Sequence, residues 1–294
     1  MNTSISLSHR NKEPESGVLY IVGTPIGNLD DISKRSSNIL KEVSLIACED
    51  TRTTGKLLNY LKISNKLISY HKYSSQERIS YLISRLDKGD SIALVSEAGM
   101  PLISDPGDIL VRTVKDNNFD VICIPGPCAA ITGLVSSGIS SSPFTFYGFI
   151  PRTKKNRDIV LKSIVENQFT SIIYESPKRV IKLLTELCDK CDEEREFAVL
   201  KELTKKHEKH YGFDIKNIIK ELESIELKGE FIIIVSGNKK LKNKNFYSEK
   251  VLKHDLNSLI EAGLSHSAAS NYLAKKTGVS KNIIYKLILN NHLE

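Results

Sequence analysis

The stretch Val18-Leu-Tyr-Ile-Val-Gly-Thr-Pro-Ile-Gly-Asn28 joins an apolar run to a turn rich in glycine and proline. The apolar run, Val18 to Val22, has the length of a buried strand, and Gly23 to Asn28 forms the turn. Residues Ile32 to Glu42 then follow helical periodicity. A strand, a tight turn and a helix in this order are typical of α/β folds, in which helices cover a mostly parallel sheet.

The same alternation repeats outward from this stretch as far as Val235. In the first block, strands are predicted at 45–48, 92–95 and 121–124, and helices at 52–61, 75–86 and 109–117. In the second block, strands are predicted at 144–149, 171–174, 197–200 and 231–235, and helices at 129–137, 158–166, 178–188 and 215–224. The sequence therefore predicts an α/β fold with two consecutive domains, residues 17–126 and 127–238.

Basic residues are concentrated in the last fifth of the chain. The 294 residues carry a formal net charge of +7, and residues 239–294 contribute ten lysines against four acidic residues. Residues 239–247 predict a polar linker, and residues 248–294 predict three short helices resembling a helix-turn-helix. The uneven charge favours an anionic partner, nucleic acid before a membrane. On charge alone, an ordinary solvated surface is an equally good interpretation.

Several classes of protein fit the sequence poorly. Residues 1–16 lack periodicity and predict a flexible extension, and their polar character does not match a secretory signal. No run approaches the roughly 18 consecutive apolar residues of a membrane span, so we expect a cytoplasmic protein. Cys188 and Cys191 form a single CxxC pair without a second pair, and no metal site is predicted.

Four turns follow predicted strands and are rich in glycine or proline. They are Gly23 to Asn28, Ser96 to Gly107, Pro125 to Ala130 and Tyr174 to Arg179. Ligands of open α/β sheets bind at the carboxyl ends of strands, where glycine lets the backbone approach closely. None of the turns matches a dinucleotide or P-loop motif. Each turn alone is more often a tight connection, but four together favour a nucleoside-like ligand held mainly by backbone.

Six segments in order resemble the ribosomal RNA small subunit methyltransferase I family. They are Val22 to Asp30, Ala47 to Arg52, Ser96 to Gly107, Ile124 to Pro127, Tyr174 to Arg179 and Lys201 to Glu208. The resemblance places the chain in the tetrapyrrole-methylase-like superfamily and extends from Gly17 to about Gly237; the tail looks like that family's C-terminal helical domain. It implies a homodimer that binds S-adenosylmethionine between its two α/β domains. The implied reaction is 2′-O-methylation of a cytidine in the decoding region of 16S rRNA, within the small ribosomal subunit.

The resemblance also implies where the methyl donor binds. The implied donor residues are Pro25, Ser96, Gly99, Met100, Ile103, Asp105, Cys128, Ala129, Tyr174, Glu175 and Leu203. Two positions depart from the superfamily pattern: Met100 replaces the usual aspartate of Gly-Asp-Pro, and Cys128 stands where serine or threonine is common. The missing aspartate weighs against a tetrapyrrole substrate, and Glu97 or Asp105 is the alternative source of a carboxylate.

Methylation of a ribose hydroxyl is favoured by charged residues close to the reacting oxygen. A ribose hydroxyl is a poor nucleophile, so a base or a cation that stabilises the alkoxide should assist its attack. Asp50, Lys201 and Glu202 directly follow predicted strands. We therefore predict Lys201 as the alkoxide stabiliser and Asp50 or Glu202 as the base. The alternative for each of them is a salt bridge at a strand end.

Other charged and aromatic residues are candidates for binding RNA. Phosphate contacts are predicted for a basic loop, and substrate binding is predicted for three further charged residues near the strand ends. These residues are Arg152, Lys154, Lys155 and Arg157 in the loop, and Glu49, Arg52 and Arg179 at the strand ends. Lys205, Lys206, His207, Lys209 and His210 form a second basic run. Tyr70, His71 and Tyr73 are candidates for stacking on a flipped base, although core packing is the commoner role.

Two other functions remain open at this stage. One is a methyltransferase of the same fold that acts on a tetrapyrrole or on a protein side chain. The other is a nucleic-acid-binding protein without catalytic activity. The other methyltransferase activity explains neither the lysine-rich tail nor the cations of residues 152–157. The intact turns argue against a protein that only binds nucleic acid.

Overall fold

A computed structural model of the chain describes residues 12–239, 249–277 and 279–289. The first domain contains a five-stranded sheet in the order β3-β2-β4-β1-β5. Its strands are β1 (Leu19–Val22), β2 (Leu45–Cys48), β3 (Leu67–Ser69), β4 (Ile92–Val95) and β5 (Val121–Ile124). All pairings in this sheet are parallel, as the alternation of strands and helices predicted.

Helices cover both faces of the first sheet. They are α1 (Lys34–Glu42), α2 (Thr51–Tyr60), α3 (Gln76–Asp87) and α4 (Asp108–Asp116). Along β1, Tyr20 and Val22 belong to one apolar core while Leu19 and Ile21 belong to the other, because successive side chains of a strand point to opposite faces. A strand buried on both faces has to be apolar at every position, which explains the continuous apolar runs.

The second domain contains a mixed sheet in the order β6-β7-β10-β8-β9. Its strands are β6 (Phe144–Phe149), β7 (Thr170–Glu175), β8 (Phe197–Lys201), β9 (Lys209–Phe213) and β10 (Phe231–Val235). Only β6 and β7 pair in parallel; the other three pairings are antiparallel. The prediction of a mostly parallel sheet is therefore wrong for this domain. A hairpin between β8 and β9, two strands joined without a crossover helix, is one cause of the difference.

Helices flank the second sheet, and one of them begins earlier than predicted. They are α5 (Ala129–Ser136), α6 (Lys154–Val165), α7 (Val180–Cys188) and α8 (Ile215–Glu223). Residues 154–157 form the first turn of α6, so the prediction of a loop as far as Arg157 is wrong. One core lies between the sheet and α6, α7 and α8, while α5 packs against the other face, where Leu134 meets Ile172 and Ile232.

The C-terminal module contains three helices with an apolar core of their own. They are α9 (Glu249–Glu261), α10 (His266–Thr277) and α11 (Lys281–Leu289). Leu256, Leu273 and Ile284 lie at the centre of this core. Gly263 has a φ of +95° in the connection after α9, a conformation that glycine adopts readily. The predicted linker lies outside the described residues except for Lys239.

The predicted N-terminal extension is described only from Lys12. Glu13 accepts hydrogen bonds from Arg35 of α1 at 2.6 and 2.7 Å, which attaches this part of the extension to the first domain. Residues 1–11 lie outside the described part. None of the helices in the described ranges is both long and apolar enough to cross a membrane.

Candidate active site

A cavity of about 350 Å³ lies between the two domains, and residues of both domains line it. We call its two sides the first wall and the second wall. The first wall consists of Ile26, Glu97, Ala98, Gly99, Met100, Ile103, Ser104 and Asp105. The second wall consists of Cys128, Ala129, Phe149, Tyr174, Glu175, Ser176, Pro177, Leu200, Leu203, Gly229, Glu230, Phe231 and Ile232. The first wall lies at the carboxyl ends of strands, where open α/β sheets bind ligands.

Two of the glycine turns pack directly against each other. A Cβ atom on Gly23 would lie 2.9 Å from the Cα atom of Gly126, and one on Gly126 would lie 2.8 Å from the Cα atom of Gly23. Backbone hydrogen bonds of 2.9 and 3.0 Å join Thr24 and Gly99 in both directions. Gly23 and Gly126 therefore serve the contact between the β1, β4 and β5 turns. Neither of them lines the cavity.

The structure brings most of the predicted donor residues to the cavity. Those that line it are Gly99, Met100, Ile103, Asp105, Cys128, Ala129, Tyr174, Glu175 and Leu203. Pro25 and Ser96 do not line it. The Ser96 hydroxyl donates to the Gly99 carbonyl at 3.1 Å and supports the turn from behind. Sequence reasoning missed Leu200, Phe231 and Ile232, because their apolar strands predicted core positions.

Carboxyl groups gather around the first wall. Asp105 is half-buried, and burial together with the neighbouring Glu49 and Glu97 raises its pKa to about 6. Burial and the charge of Glu97 also raise the pKa of Glu49, which lies at the end of β2. Like charges held close together disfavour ionisation, and burial acts in the same direction. This side of the cavity therefore contains a carboxyl group that titrates close to neutral pH.

One carboxylate oxygen in the second wall lacks a partner. Glu175 is 1% exposed, and its Oε1 accepts hydrogen bonds from Arg179 and from the Ser176 amide, both at 2.7 Å. Its Oε2 has no hydrogen-bond partner within the described residues. A buried acceptor without a partner is costly, and a ligand that donates a hydrogen bond would satisfy it.

The cavity suits a nucleoside-like methyl donor. Met100, Ile103, Leu203 and Ile232 provide apolar surfaces for a planar base, and Glu175 Oε2 provides an acceptor for a hydroxyl or amino group. Ligand pockets commonly have volumes of about 300 to 1,000 Å³ and combine apolar walls with a few polar groups. S-adenosylmethionine, when bound, supplies an electrophilic methyl group on a sulfonium.

Two predicted catalytic carboxylates are occupied by other contacts, and neither lines the cavity. Asp50 caps α2 by accepting from the Arg52 amide at 2.7 Å, and the Arg52 side chain holds its pKa at about 2. Burial raises the pKa of Glu202, but hydrogen bonds from Lys205 and the Glu230 amide outweigh this effect and leave it below the ordinary value. A strongly acidic carboxyl group is a poor acceptor of a hydroxyl proton at neutral pH.

Lys201 lies beside the second wall without lining it. Its Nζ atom is 6.0 Å from the centre of the Phe231 ring. Along β8, Leu200 packs in the core on the cavity side, while Val199 packs in the core on the other side. Side chains of a strand alternate between faces, so Lys201 lies on the same face as Val199. Its predicted role in catalysis requires the ammonium group to reach around the end of the sheet.

The predicted substrate residues fall into two groups. Arg157 is buried in α6 and pairs with Glu186 at 2.6 Å, and Arg179 pairs with Glu175 at 2.6 Å. Both arginines support the second domain, and Arg157 does not belong to the surface loop in which it was predicted. Arg152, Lys154 and Lys155 are exposed. Glu49 contributes to the acidic group near the first wall, and Arg52 is exposed beside Asp50.

The second basic run is divided between a loop and a strand. Lys205 pairs with Glu202 at 2.8 Å and with Glu230 at 3.1 Å. Lys209 belongs to β9 and lies 4.5 Å above the Tyr211 ring, while His210 pairs with Glu208. Lys206 and His207 are exposed. These contacts explain why a run of cations in sequence does not form one continuous basic surface.

The three predicted stacking residues also separate. Tyr70 is 5% exposed and packs in the core with Leu82 and Leu110, so it is not available to a base. Tyr73 is 86% exposed, and His71 accepts from the Tyr73 amide at 3.2 Å. Only His71 and Tyr73 remain as candidates for stacking.

Comparison with known proteins agrees with this architecture. A family model described as tetrapyrrole (corrin/porphyrin) methylases matches residues 18–219. A solved cobalt precorrin-4 methyltransferase is 14% identical with a TM-score of 0.55, covering 75% of this chain and 95% of its own. A solved diphthine synthase is 14% identical with a TM-score of 0.58, covering 74% and 90%. The fold and the cavity define a methyltransferase of the tetrapyrrole methylase class.

Relatives at higher identity resolve the family within this class. Proteins named ribosomal RNA small subunit methyltransferase I from Synechocystis sp. and Haemophilus influenzae are each 40% identical. The first match covers 93% of this chain and 98% of the relative, and the second covers 95% and 98%. The chain belongs to the ribosomal RNA small subunit methyltransferase I family. Its methyl donor is S-adenosylmethionine.

Proposed function

We propose that this protein methylates the 2′-oxygen of a cytidine in the decoding region of 16S ribosomal RNA, using S-adenosylmethionine. The extent of the two kinds of match favours ribosomal RNA as the substrate, and the family resemblance of the six segments implies the 2′-oxygen of a cytidine. The solved methyltransferases cover 74 to 78% of this chain, whereas the rRNA methyltransferase relatives cover up to 96% of it. The last 55 residues make up almost a fifth of the chain. A match to an rRNA methyltransferase relative that covers 96% of the chain must therefore include most of the basic helical module.

The chain's own residues have two tasks in this reaction. They must hold the ribose oxygen in line with the methyl group, which alone can supply about 7 to 11 kcal/mol of the barrier. They must also assist the loss of the hydroxyl proton. The second wall is largely apolar and suits the first task of binding and orienting. Lys201, Asp50 and Glu202 stay predictions as catalytic residues.

Exposed cations provide the proposed contacts to rRNA phosphates. Arg152, Lys154 and Lys155 lie at the start of α6 and form no salt bridge within the described ranges. Phosphate contacts position a nucleic acid without reading its sequence. We assign these three residues to the small-subunit interface, together with the C-terminal module. We also propose that the protein functions as a homodimer and in the cytoplasm. Light scattering of the purified chain tests whether it is a dimer.

Methylation of purified small subunits tests the proposed function directly. The protein, S-adenosylmethionine and small subunits from cells lacking this enzyme should yield one ribose-methylated cytidine, located by nuclease digestion and mass spectrometry. Free rRNA in a parallel reaction tells whether the assembled subunit is required. Methylation of a base, or of no ribosomal RNA, contradicts the proposal. A tetrapyrrole or protein acceptor in a cell extract would then indicate the other chemistry of this fold.

A further inference from the structure

We propose that Asp105 is the general base that accepts the proton of the ribose 2′-hydroxyl. This role deepens the proposed function and rests on it. Asp105 lies in the loop between β4 and α4 and lines the first wall of the cavity. It was predicted as a donor-binding residue, and the structure gives reasons to assign it to the acceptor side of the reaction.

The Asp105 carboxylate is free to accept a proton. Within the described part of the chain it forms no salt bridge and no side-chain hydrogen bond. Asp50 and Glu202, in contrast, are held by Arg52 and by Lys205. A carboxylate committed to a cation has a depressed pKa and loses that contact when it is protonated. Asp105 has no cation that depresses its pKa and loses no such contact when it is protonated.

The backbone around Asp105 fixes its position. Leu102 and Ser104 have φ angles of 72° and 70°, which are uncommon for residues with a side chain. The Ser104 hydroxyl lies close to Gly148 of β6, where an added Cβ would be 2.9 Å away. Such conformations cost energy, persist only when the surroundings impose them, and cluster at active sites. The loop therefore holds Asp105 against the opposite domain.

The unpartnered oxygen of Glu175 is an independent indication that a ligand occupies this cavity. Glu175 is 1% exposed and its Oε2 has no partner among the described residues, while Asp105 and Glu97 line the opposite wall. In this proposal the donor binds against Glu175, and the acceptor ribose binds beside Asp105 on the opposite wall. Burial, Glu49 and Glu97 raise the Asp105 pKa to about 6, which keeps the group ionised yet basic at neutral pH.

The proposed step transfers one proton to Asp105 and one methyl group to the ribose oxygen. Asp105 takes the hydroxyl proton while the ribose oxygen forms its bond to the methyl carbon. The carbon–sulfur bond breaks, and its electron pair remains on sulfur, which becomes neutral. Water then removes the proton from Asp105 and restores the carboxylate. No oxidant, reductant or further reactant is needed.

Asp105→Asn separates this role from donor binding. The single-turnover rate on small subunits should fall by about 100-fold to 10,000-fold, the usual contribution of a general base. Donor affinity measured by titration calorimetry should change less than about threefold. Asp108→Asn is the matched control, because Asp108 is exposed on the same segment and does not line the cavity. Asp105→Glu, which restores a carboxylate one methylene further away, should recover part of the rate.

The pH dependence provides a second readout. Protonated Asp105 cannot accept a proton, so the wild-type rate should fall as the pH drops through about 6. Glu49, Glu97 and Tyr174 are the titratable groups that interact with Asp105. Because the negative charge of Glu97 raises the Asp105 pKa, Glu97→Gln should move this limb to lower pH. In the ligand-free protein, carboxyl-carbon NMR of labelled aspartate should show a group that titrates near pH 6 and disappears in Asp105→Asn.

Two failures are distinguishable. If the wild type methylates rRNA and Asp105→Asn keeps its rate within about threefold, Asp105 is not the base. A wild-type rate that does not fall on acidification also overturns the role, because a protonated carboxyl group cannot accept the hydroxyl proton. If the wild type methylates no ribosomal RNA, the proposed function itself fails, and the assignment of Asp105 fails with it.

Discussion

The two walls of the cavity differ in how their carboxyl groups are paired, although each wall contains two of them. The first wall contains Glu97 and Asp105 in a loop after a parallel strand, with Glu49 close by. In the second wall, Glu175 pairs with Arg179 and Glu230 pairs with Lys205, and apolar residues such as Leu200 and Ile232 surround them. Carboxyl groups suit proton transfer, whereas apolar surfaces suit binding of a planar base. The difference indicates that removing the first-wall carboxyl groups should affect methyl transfer, while changes to the second wall should affect donor affinity.

The largest effect on donor binding is expected from Ala129→Trp. Ala129 begins α5 and lines the second wall, so an indole there fills space that the donor needs. We expect a loss of donor affinity of more than about 100-fold by calorimetry. Val135→Trp, on the same helix at a position that is 72% exposed, should bind the donor normally. Circular dichroism checks that both variants fold, and normal donor affinity of a folded Ala129→Trp protein would remove α5 from the site.

Glu175→Gln tests the buried carboxylate of the second wall. The substitution replaces an acceptor with an amide, and hydrogen bonds to charged groups contribute about 1.5 to 3 kcal/mol. Donor affinity should therefore fall by about tenfold to 150-fold.

Glu186→Gln is the matched control for Glu175→Gln. Both glutamates pair with an arginine at 2.6 Å, but Glu186 does not line the cavity. Both variants should unfold at a lower temperature, and only Glu175→Gln should bind the donor more weakly. Equal donor affinity in the two variants would show that Glu175 serves stability alone.

A contrast between the two sheets explains which strands could be predicted from the sequence. The central strands of the first sheet, β1, β2 and β4, are buried on both faces, so their residues are apolar and their runs are distinct. Only β3 was missed there, because Leu67–Ser69 is a half-buried edge strand of three residues. In the second sheet, β9 was missed because its residues Lys209, His210 and Phe213 are exposed and resemble a basic loop.

The candidate site was predictable where the sequence alone marks a turn. The loop from Ser96 to Gly107 and the turn before α5 were assigned to a nucleoside-like ligand because glycine and proline follow apolar runs there, and the family resemblance implied that this ligand is the methyl donor. The sequence did not assign Leu200, Phe231 and Ile232 to the site, because an apolar strand does not show which of its ends reaches a cavity. Arg157 was misplaced because a local pattern of cations does not reveal a distant partner such as Glu186.

Lys201→Ala sharpens the boundary of the second wall. If the ammonium group stabilises the developing alkoxide, the variant should transfer methyl groups about tenfold more slowly with unchanged donor affinity, since that charge appears only in the transition state. Single-turnover kinetics and calorimetry measure the two quantities. Lys216→Ala is a suitable control, because Lys216 is exposed in α8, pairs with Glu193 and does not line the cavity. A rate within about threefold of wild type would mean that Lys201 only packs on Phe231.

The smallest effect on donor binding is expected from the C-terminal module, which lies in sequence beyond both walls. Ending the chain after Lys239 keeps Asn238, which donates to the Asn167 and Val165 carbonyls, and removes the module. Donor binding should be unchanged, while small-subunit binding weakens and depends less on salt, because fewer counterions are released. Replacing Lys275, Lys281 and Lys286, which are exposed on the module, with glutamine should reproduce the flatter salt dependence without truncation. A truncated protein that becomes monomeric by light scattering and retains the wild-type salt slope would make the module an assembly element.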